Sequence, residues 1–343
     1  METAKSIKAL FDKLPLSVQQ ELLDELLQNQ ELKGHVLQAA REELSQKQQK
    51  KPCPHCKSEK VQKRGKQRGV QMFSCNTCTK WFSETTGTPL WDIKLKHKWQ
   101  AYLRCMEQGM SIKKIAKEIN ISIQTSFDWR HKILSALKEL APEQLSQTVE
   151  LDELELPLSE KGSRHLTRKP RHRADDFIRN EFYDDISTVQ VVTAVQRGGG
   201  KLLAAVESKR LSQEQIQKAL EGKFAPNTTL ITDKHKSYGA FAKSNANISH
   251  YKTVLAKEHV SKEDKSVHLQ HVNNTHSQLR TFLRPFNGVS SKYLQNYLNW
   301  FAYANQLKQS KQTLKMWFLT MLLSPKAYEL FLLFKNNAVI IRT

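Results

Sequence analysis

Two Cys-x-x-Cys pairs, Cys53-Pro-His-Cys56 and Cys75-Asn-Thr-Cys78, are separated by a spacer of eighteen residues. Four thiols so spaced restrict this segment to a small metal-clipped hairpin. Each pair offers two thiolates from one tight turn, and the spacer can bring the two turns together around a tetrahedral zinc ion. The spacer holds Lys57, Lys60, Lys63, Arg64, Lys66 and Arg68 against the single acid Glu59. A zinc ribbon this basic suits a polyanion, with Lys63, Arg64, Lys66 and Arg68 as candidate DNA contacts. A purely structural zinc knob is the other reading of the same residues.

The chain has 343 residues, room for two or three domains, a formal net charge of +20 and a pI of about 9.7. Such a balance points to nucleic acid. No signal-peptide h-region is expected at the N-terminus. The apolar stretch at 316–334 is broken by Pro325, Lys326 and Glu329, which argues against a membrane span. Four of the five cysteines sit in metal-ligand spacing, so a reducing cytoplasm is expected. Cys105, beside Leu103 and Met106, reads as a buried core thiol.

Leu10, Phe11, Leu14 and the later Leu22, Leu23, Leu26 and Leu27 predict helix in an N-terminal segment, 1–50, that ends in a polar linker. The ribbon occupies 51–90. A helical unit follows at 91–145. Trp99, Tyr102, Leu103 and Met106 mark one helix that Gly109 ends; Ser111 caps a second, bearing Ile112, Ile115, Ala116 and Ile119; Ser122 caps a third. This is a helix-turn-helix pattern, which would present Gln124, Thr125 and Arg130, with Trp129, to a DNA groove. An ordinary helical bundle is its bland counterpart.

From about residue 148 the apolar period shortens. Val149–Leu156, Val189–Val195, Leu202–Val206 and Thr228–Thr232 read as strands, Leu211–Leu220 as a helix, and Gly198-Gly199-Gly200 as a hairpin turn rather than a phosphate loop. Later segments read as mainly helical. Strands followed by helices make 146–310 a mixed α/β domain, with a helical tail at 311–343.

Asp152 lies within the first of these strands and Asp233 at the end of the last. Carboxylates on adjacent strands can converge on Mg²⁺ or Mn²⁺, and a metal pair suits phosphodiester displacement. If 268–280 is helical, Asn273, His276 and Arg280 share a face: Asn273 could offer a carbonyl ligand and Arg280 could hold a phosphate. A strand aspartate serves as readily in a salt bridge, and Asn273 as a helix N-cap. Read from its residues alone, the chain is a basic zinc-ribbon and helix-turn-helix protein with a candidate metal-dependent nuclease domain.

At these residues the chain resembles the DDE-type insertion-sequence transposases that carry an N-terminal zinc ribbon. The likeness covers roughly residues 50–305. It runs through the ribbon with Lys80-Trp-Phe82 and Thr86-Gly-Thr-Pro89, then Val149-Glu-Leu-Asp152-Glu153, Lys161-Gly162, Leu230-Ile-Thr-Asp233 with Ser237-Tyr238, His268-Leu-Gln-His-Val-Asn273, and Phe286–Trp300. The resemblance implies a multidomain α+β chain with a ribonuclease-H-like catalytic domain and Asp152 and Asp233 as the first two metal ligands. Asn273, followed seven residues later by Arg280, holds the third position, where the broader class has Glu and then a basic residue. His276 is the alternative third ligand. The resemblance further implies structural zinc on Cys53, Cys56, Cys75 and Cys78, catalytic Mg²⁺ or Mn²⁺, and binding of double-stranded terminal-repeat and target DNA. It implies a homo-oligomer on DNA in the bacterial cytoplasm, working by nicking and strand transfer. The competing expectation is a repurposed DNA-binding protein that cuts nothing, because Asn273 brings no charge.

Overall fold

A computed structural model describes residues 52–67, 70–88, 91, 93–95, 98–137, 144–166, 188–255 and 260–310. The expected N-terminal helix, the helical tail and Arg68 lie outside these residues. The chain divides into two compact units, with the boundary between Arg104 and Cys105.

The first unit holds a three-stranded antiparallel sheet of β1 (Val61–Gln67), β2 (Val70–Cys75) and β3 (Trp81–Ser83), in the order β1-β2-β3. Its small core is Cys53, Phe73, Cys75 and Phe82, with the Phe73 and Phe82 rings stacked at 5.4 Å. A bulge between Lys63 and Lys66 interrupts the β1–β2 pairing. Gly65 takes a positive φ there, and the Gln71 side chain donates to its carbonyl at 2.8 Å.

Helix α1 (Trp99–Glu107) contains the boundary between units. Its end follows from Gly109: with φ at +70° it lets Gly109 N–H reach Met106 O and Met110 N–H reach Cys105 O, the paired bonds of a Schellman stop. Cys105 is buried, as expected, and its thiol is pushed upward by burial and then by Glu118. Helices α2 (Ile112–Glu118) and α3 (Ile123–Ala136) are capped by Ser111 and Ser122, each accepting the N–H three residues on. Asn120, at φ +52°, makes the turn between them.

The centre of the second unit is a five-stranded mixed sheet in the order β6-β5-β4-β7-β8. It comprises β4 (Thr148–Pro157), β5 (Thr188–Gln196), β6 (Lys201–Glu207), β7 (Thr228–Asp233) and β8 (Ile248–Val254). β4, β5 and β6 pair antiparallel, while β7 runs parallel to β4 and β8 parallel to β7. The strand β8 corrects the expectation of mainly helical structure after 233. It is an edge strand whose polar run, Ser249-His-Tyr-Lys-Thr253, is largely exposed and carries no apolar alternation.

Helices α4 (Gln213–Leu220) and α5 (Lys236–Ser244) cover one sheet face, where Val149, Leu151 and Val192 meet Ile216, Leu220, Tyr238 and Phe241. Helices α6 (Gln270–Leu283) and α7 (Ser291–Ser310) cover the other, where Leu154, Val189 and Val191 meet Leu279, Leu294 and Phe301. With both faces covered, β5 is buried from Val189 to Val195. The edge of β6 is closed by a side chain: Gln295 of α7 accepts from Ala205 N at 2.9 Å and donates to Leu203 O at 2.9 Å.

Helix α3 packs on α7 through its buried C-terminal half. His131 Nδ1 lies 3.2 Å from Asn296 Nδ2, and burial followed by the Arg130 charge depresses its pKa to about 3, so His131 stays neutral. Arg130 is wholly buried. Its guanidinium carbon lies 5.1 Å from the Trp300 ring, 5.5 Å from Phe286 and 6.0 Å from Tyr297, and its Nη2 donates to Met110 O at 2.6 Å. This corrects the expectation that Arg130 faces DNA. Helical periodicity turns it, together with the buried Trp129, toward α7 and away from the surface that carries Gln124. Replacing Arg130 with Ala is therefore expected to lower unfolding stability by about 3 kcal/mol, read by urea denaturation of the full chain. A direct DNA contact would instead show as lost affinity at unchanged stability.

Candidate metal and DNA-processing sites

In the ribbon, the four Cys sulfurs lie within 4.8 Å of one another, with Cys53–Cys78 at 3.7 Å and Cys56–Cys75 at 3.5 Å. Tetrahedral thiolates at zinc-bond length stand about 3.8 Å apart. Backbone N–H groups of His55, Thr77 and Cys78 point at the Cys53 and Cys75 sulfurs at 3.4–3.5 Å, as thiolates require. The backbone bond from Cys78, with that from Thr77, holds the Cys75 thiol down to about 6. At Cys56 the Ser58 backbone bond acts downward, but desolvation and the neighbouring thiols prevail and push it up to about 12. Four sulfurs converging at this spacing suit a divalent cation. Each Cys pair is closed by a residue at positive φ, Lys57 and Thr79. Lys63, Arg64 and Lys66 lie on the exposed strand β1, where Arg64 Nε also donates to Ser74 Oγ at 2.8 Å.

In the second unit the parallel pairing of β4 with β7 sets Glu150 opposite Ile231. Two residues further along each strand come Asp152 and Asp233. Asp152 is 21% exposed, and its carboxyl is pushed up to about 7 by burial first, then by the charges of Glu153 and Asp233. Asp233 Oδ1 accepts from His235 N at 3.0 Å, which turns the chain into α5.

Asn273, His276 and Arg280 all lie on α6, as expected. The residue at the N-cap is Leu269, so Asn273 sits inside the first turns, half-buried. His276 is buried with Nδ1 4.0 Å from Asp152 Oδ2. Burial and the nearby Arg280 charge lower its pKa to about 4, so it is neutral, and its Nε2 is buried without a hydrogen-bond partner. Crowded carboxylates and an orphaned neutral imidazole form a donor set suited to a hard or borderline divalent cation. The structure thus gathers Asp152, Asp233 and His276. It places Asn273 one turn before His276, and Arg280 one turn after it and exposed.

Reading the sequence alone missed Tyr238, whose hydroxyl donates to Glu153 on the opposite face of β4. The only signal available was the Ser237-Tyr238 pair after Asp233. Gln124 is exposed and bonds Asp128 at 3.1 Å, while Thr125 is half-buried with Oγ1 2.8 Å from Ser122 Oγ.

An acid whose folded pKa exceeds its unfolded value stabilises the fold below the unfolded value and loses that stability as pH rises through the folded one. Metal-free protein should therefore lose stability between about pH 4 and 7, in a window set by Asp152. Asp152→Asn should melt later than wild type near pH 8, by roughly 2–4 kcal/mol, and not near pH 4. Millimolar Mn²⁺ should narrow the gap by stabilising wild type only; equal melting of the two proteins at both pH values would refute the assignment.

The ISXO2-like transposase domain family matches residues 144–305, the stretch that contains the whole sheet with α6 and most of α7. An uncharacterized protein in transposable element ISH50 of Halobacterium salinarum is 26% identical over 268 residues, covering 77% of this chain and 88% of that relative. The Mos1 strand transfer complex and the pre-cleavage Mos1 transpososome are 10% and 9% identical, cover 67% and 68% of this chain and 76% and 77% of theirs, and give TM-scores of 0.27 and 0.26. Residues 144–305 thus match an ISXO2-like transposase domain, and the chain is similar to a protein of an insertion-sequence element.

Proposed function

We propose that this protein is a DNA transposase that nicks the ends of its insertion sequence and joins the freed 3′ ends to target DNA. The observation that carries the reading is Asp152, a half-buried carboxyl raised to about 7 beside Asp233 and Glu153, with neutral His276 4.0 Å away. The strand order, with three antiparallel strands followed by two parallel to the first, supports the ribonuclease-H-like reading of the domain.

Asp152 and Asp233 would hold Mg²⁺ or Mn²⁺, with Asn273 or His276 as the third ligand. A cation bound there would activate the attacking water or 3′-hydroxyl and stabilise the leaving oxygen. Arg280, exposed one turn beyond His276, would hold the scissile phosphate bidentately. Lys63, Arg64 and Lys66 on the ribbon, with Gln124 and Thr125 at the exposed start of α3, would bind the terminal repeats, and zinc on the four cysteines would fix the ribbon. Two ends must be held for joining, which calls for a homo-oligomer on DNA. Free thiols in metal-ligand spacing would suit work in a reducing cytoplasm, and among the described residues no helix is long and apolar enough to cross a membrane. The second reading, a repurposed DNA-binding protein, is favoured by one observation: the helix that faces Asp152 offers only neutral Asn273 and His276 in place of a third carboxylate.

Incubation with end DNA and Mn²⁺ is expected to give nicking followed by joining, both reduced at least 10³-fold in Asp152→Ala and Asp233→Ala, on the order expected when a metal-assisted site is dismantled. Binding without cleavage by any of the three proteins would favour the second reading. Zinc analysis should return about one ion per chain. Its removal by a chelator, or Cys75→Ser, should unfold the ribbon and weaken end binding; unchanged end binding by the zinc-free protein would remove the ribbon from the recognition surface.

A further inference from the structure

Glu150 is a fully buried carboxylate to which the proposed chemistry assigns no part. Its Oε1 accepts from Arg197 Nε at 2.9 Å and lies 2.7 Å from His271 Nδ1 and 3.3 Å from His268 Nδ1. Its Oε2 accepts two backbone N–H groups, from His271 at 2.8 Å and Val272 at 3.1 Å. Those are the second and third residues of α6, whose N-cap, Leu269, makes no side-chain cap bond. The acceptor that the first turn of α6 requires is therefore supplied by strand β4, and the carboxylate also meets the positive end of the helix dipole.

Glu150, His268 and His271 bring their ligand atoms within 4.8 Å, a spacing that a metal ion could use. Arg197 already fills that role. Besides its bond to Glu150, its Nη2 lies 3.3 Å from His268 Nδ1 and donates to His268 O, and its Nη1 donates to Ser266 O at 2.8 Å. A guanidinium anchored at all three nitrogens supplies the countercharge that a buried carboxylate needs.

We propose that Glu150 is a positioning residue, a tertiary N-cap that sets the register of α6 so that Asn273 and His276 face Asp152. The inference rests on the reading of Asp152 and Asp233 as the nicking site. Glu150 and Asp152 are two apart on one strand and so share a face. Asn273 and His276 follow the capped N–H groups within about one turn, and a slip of one residue would swing His276 roughly 100° around the helix. The 4.0 Å approach of His276 to Asp152 thus depends on where the first turn is held.

The test compares full-length wild type with Glu150→Gln, which keeps shape but turns one acceptor into a donor. Three quantities are read: amide hydrogen exchange, affinity for a duplex carrying the DNA that flanks the coding sequence, and the Mn²⁺ concentration giving half-maximal nicking. The expected result is exchange on the order of tenfold faster at residues 271–276 with the sheet unchanged, unaltered duplex affinity, and a roughly 10–100-fold higher Mn²⁺ requirement. Unchanged exchange and Mn²⁺ dependence would overturn the proposal. So would exchange accelerated throughout β4–β8, or a tightly bound Mn²⁺ or second Zn²⁺ that persists in Asp152→Ala and is lost in Glu150→Gln, which would make Glu150, His268 and His271 a metal site of their own. If Glu150→Gln does not fold, Arg197→Lys, which keeps the charge but loses the fork, should raise the Mn²⁺ requirement less but in the same direction; no shift overturns the proposal. If wild type itself does not nick, the nuclease reading fails, and exchange at 271–276 alone decides the role of Glu150.

Discussion

The arrangement of the sheet domain depends on β4 being the middle strand of five, paired antiparallel on one side and parallel on the other. The parallel side brings Asp233 level with Asp152. The alternation of the strand then sorts its acids. Glu150 and Asp152 face α6, and Glu153 faces α5, where Tyr238 holds it. Burying several carboxylates along one strand opposes folding, and each is met in its own way. Glu150 has Arg197 and two amides; Glu153 has a phenol. Asp152 has a neutral imidazole 4.0 Å away and a backbone hydrogen bond at Glu153, which do not offset its burial and the neighbouring acids, and its pKa rises. Among the described residues, the strand leaves Asp152 without a lysine or arginine partner, at the level where the second aspartate arrives.

Much of this could be read from residue order. Strands β5 and β7 announce themselves by β-branched runs, β4 and β6 by short apolar patterns, and the helices α2 and α3 by Ser111 and Ser122 at their starts. β8 escaped because an edge strand with polar residues on its open side carries no apolar period. Asp152 was legible as an acid within a strand and Asp233 as one at a strand end. Their meeting was not, because parallel register is set by packing across some eighty intervening residues. Arg130 misled for a related reason: a basic residue on a helix after a short turn reads as a phosphate contact, and only the aromatic set of Phe286, Tyr297 and Trp300 shows where it points. Glu150 was visible two residues before Asp152, but nothing local reveals that the helix it caps begins some 120 positions later.

The ribbon contrasts with the sheet domain. Its order rests on a few contacts, namely four sulfurs, the Phe73–Phe82 stack and two residues held at positive φ. With zinc on the four cysteines, as proposed, so small a core would depend on its metal, whereas the sheet domain has apolar layers on both faces to hold it. Loss of zinc and loss of Mg²⁺ or Mn²⁺ would therefore injure the protein differently, the first by local unfolding and the second with the domain intact.

The burial of Arg130 fixes α3 to α7, and α7 lies on the sheet that carries Asp152 and Asp233. If the exposed start of α3 reads DNA, reader and cutter are parts of one solid body rather than beads on a tether. The protein then behaves as a ruler: the number of base pairs between the sequence recognised and the bond broken is built into its packing. An element whose ends drifted by an inserted base pair would be recognised as firmly as before and cut in the wrong place.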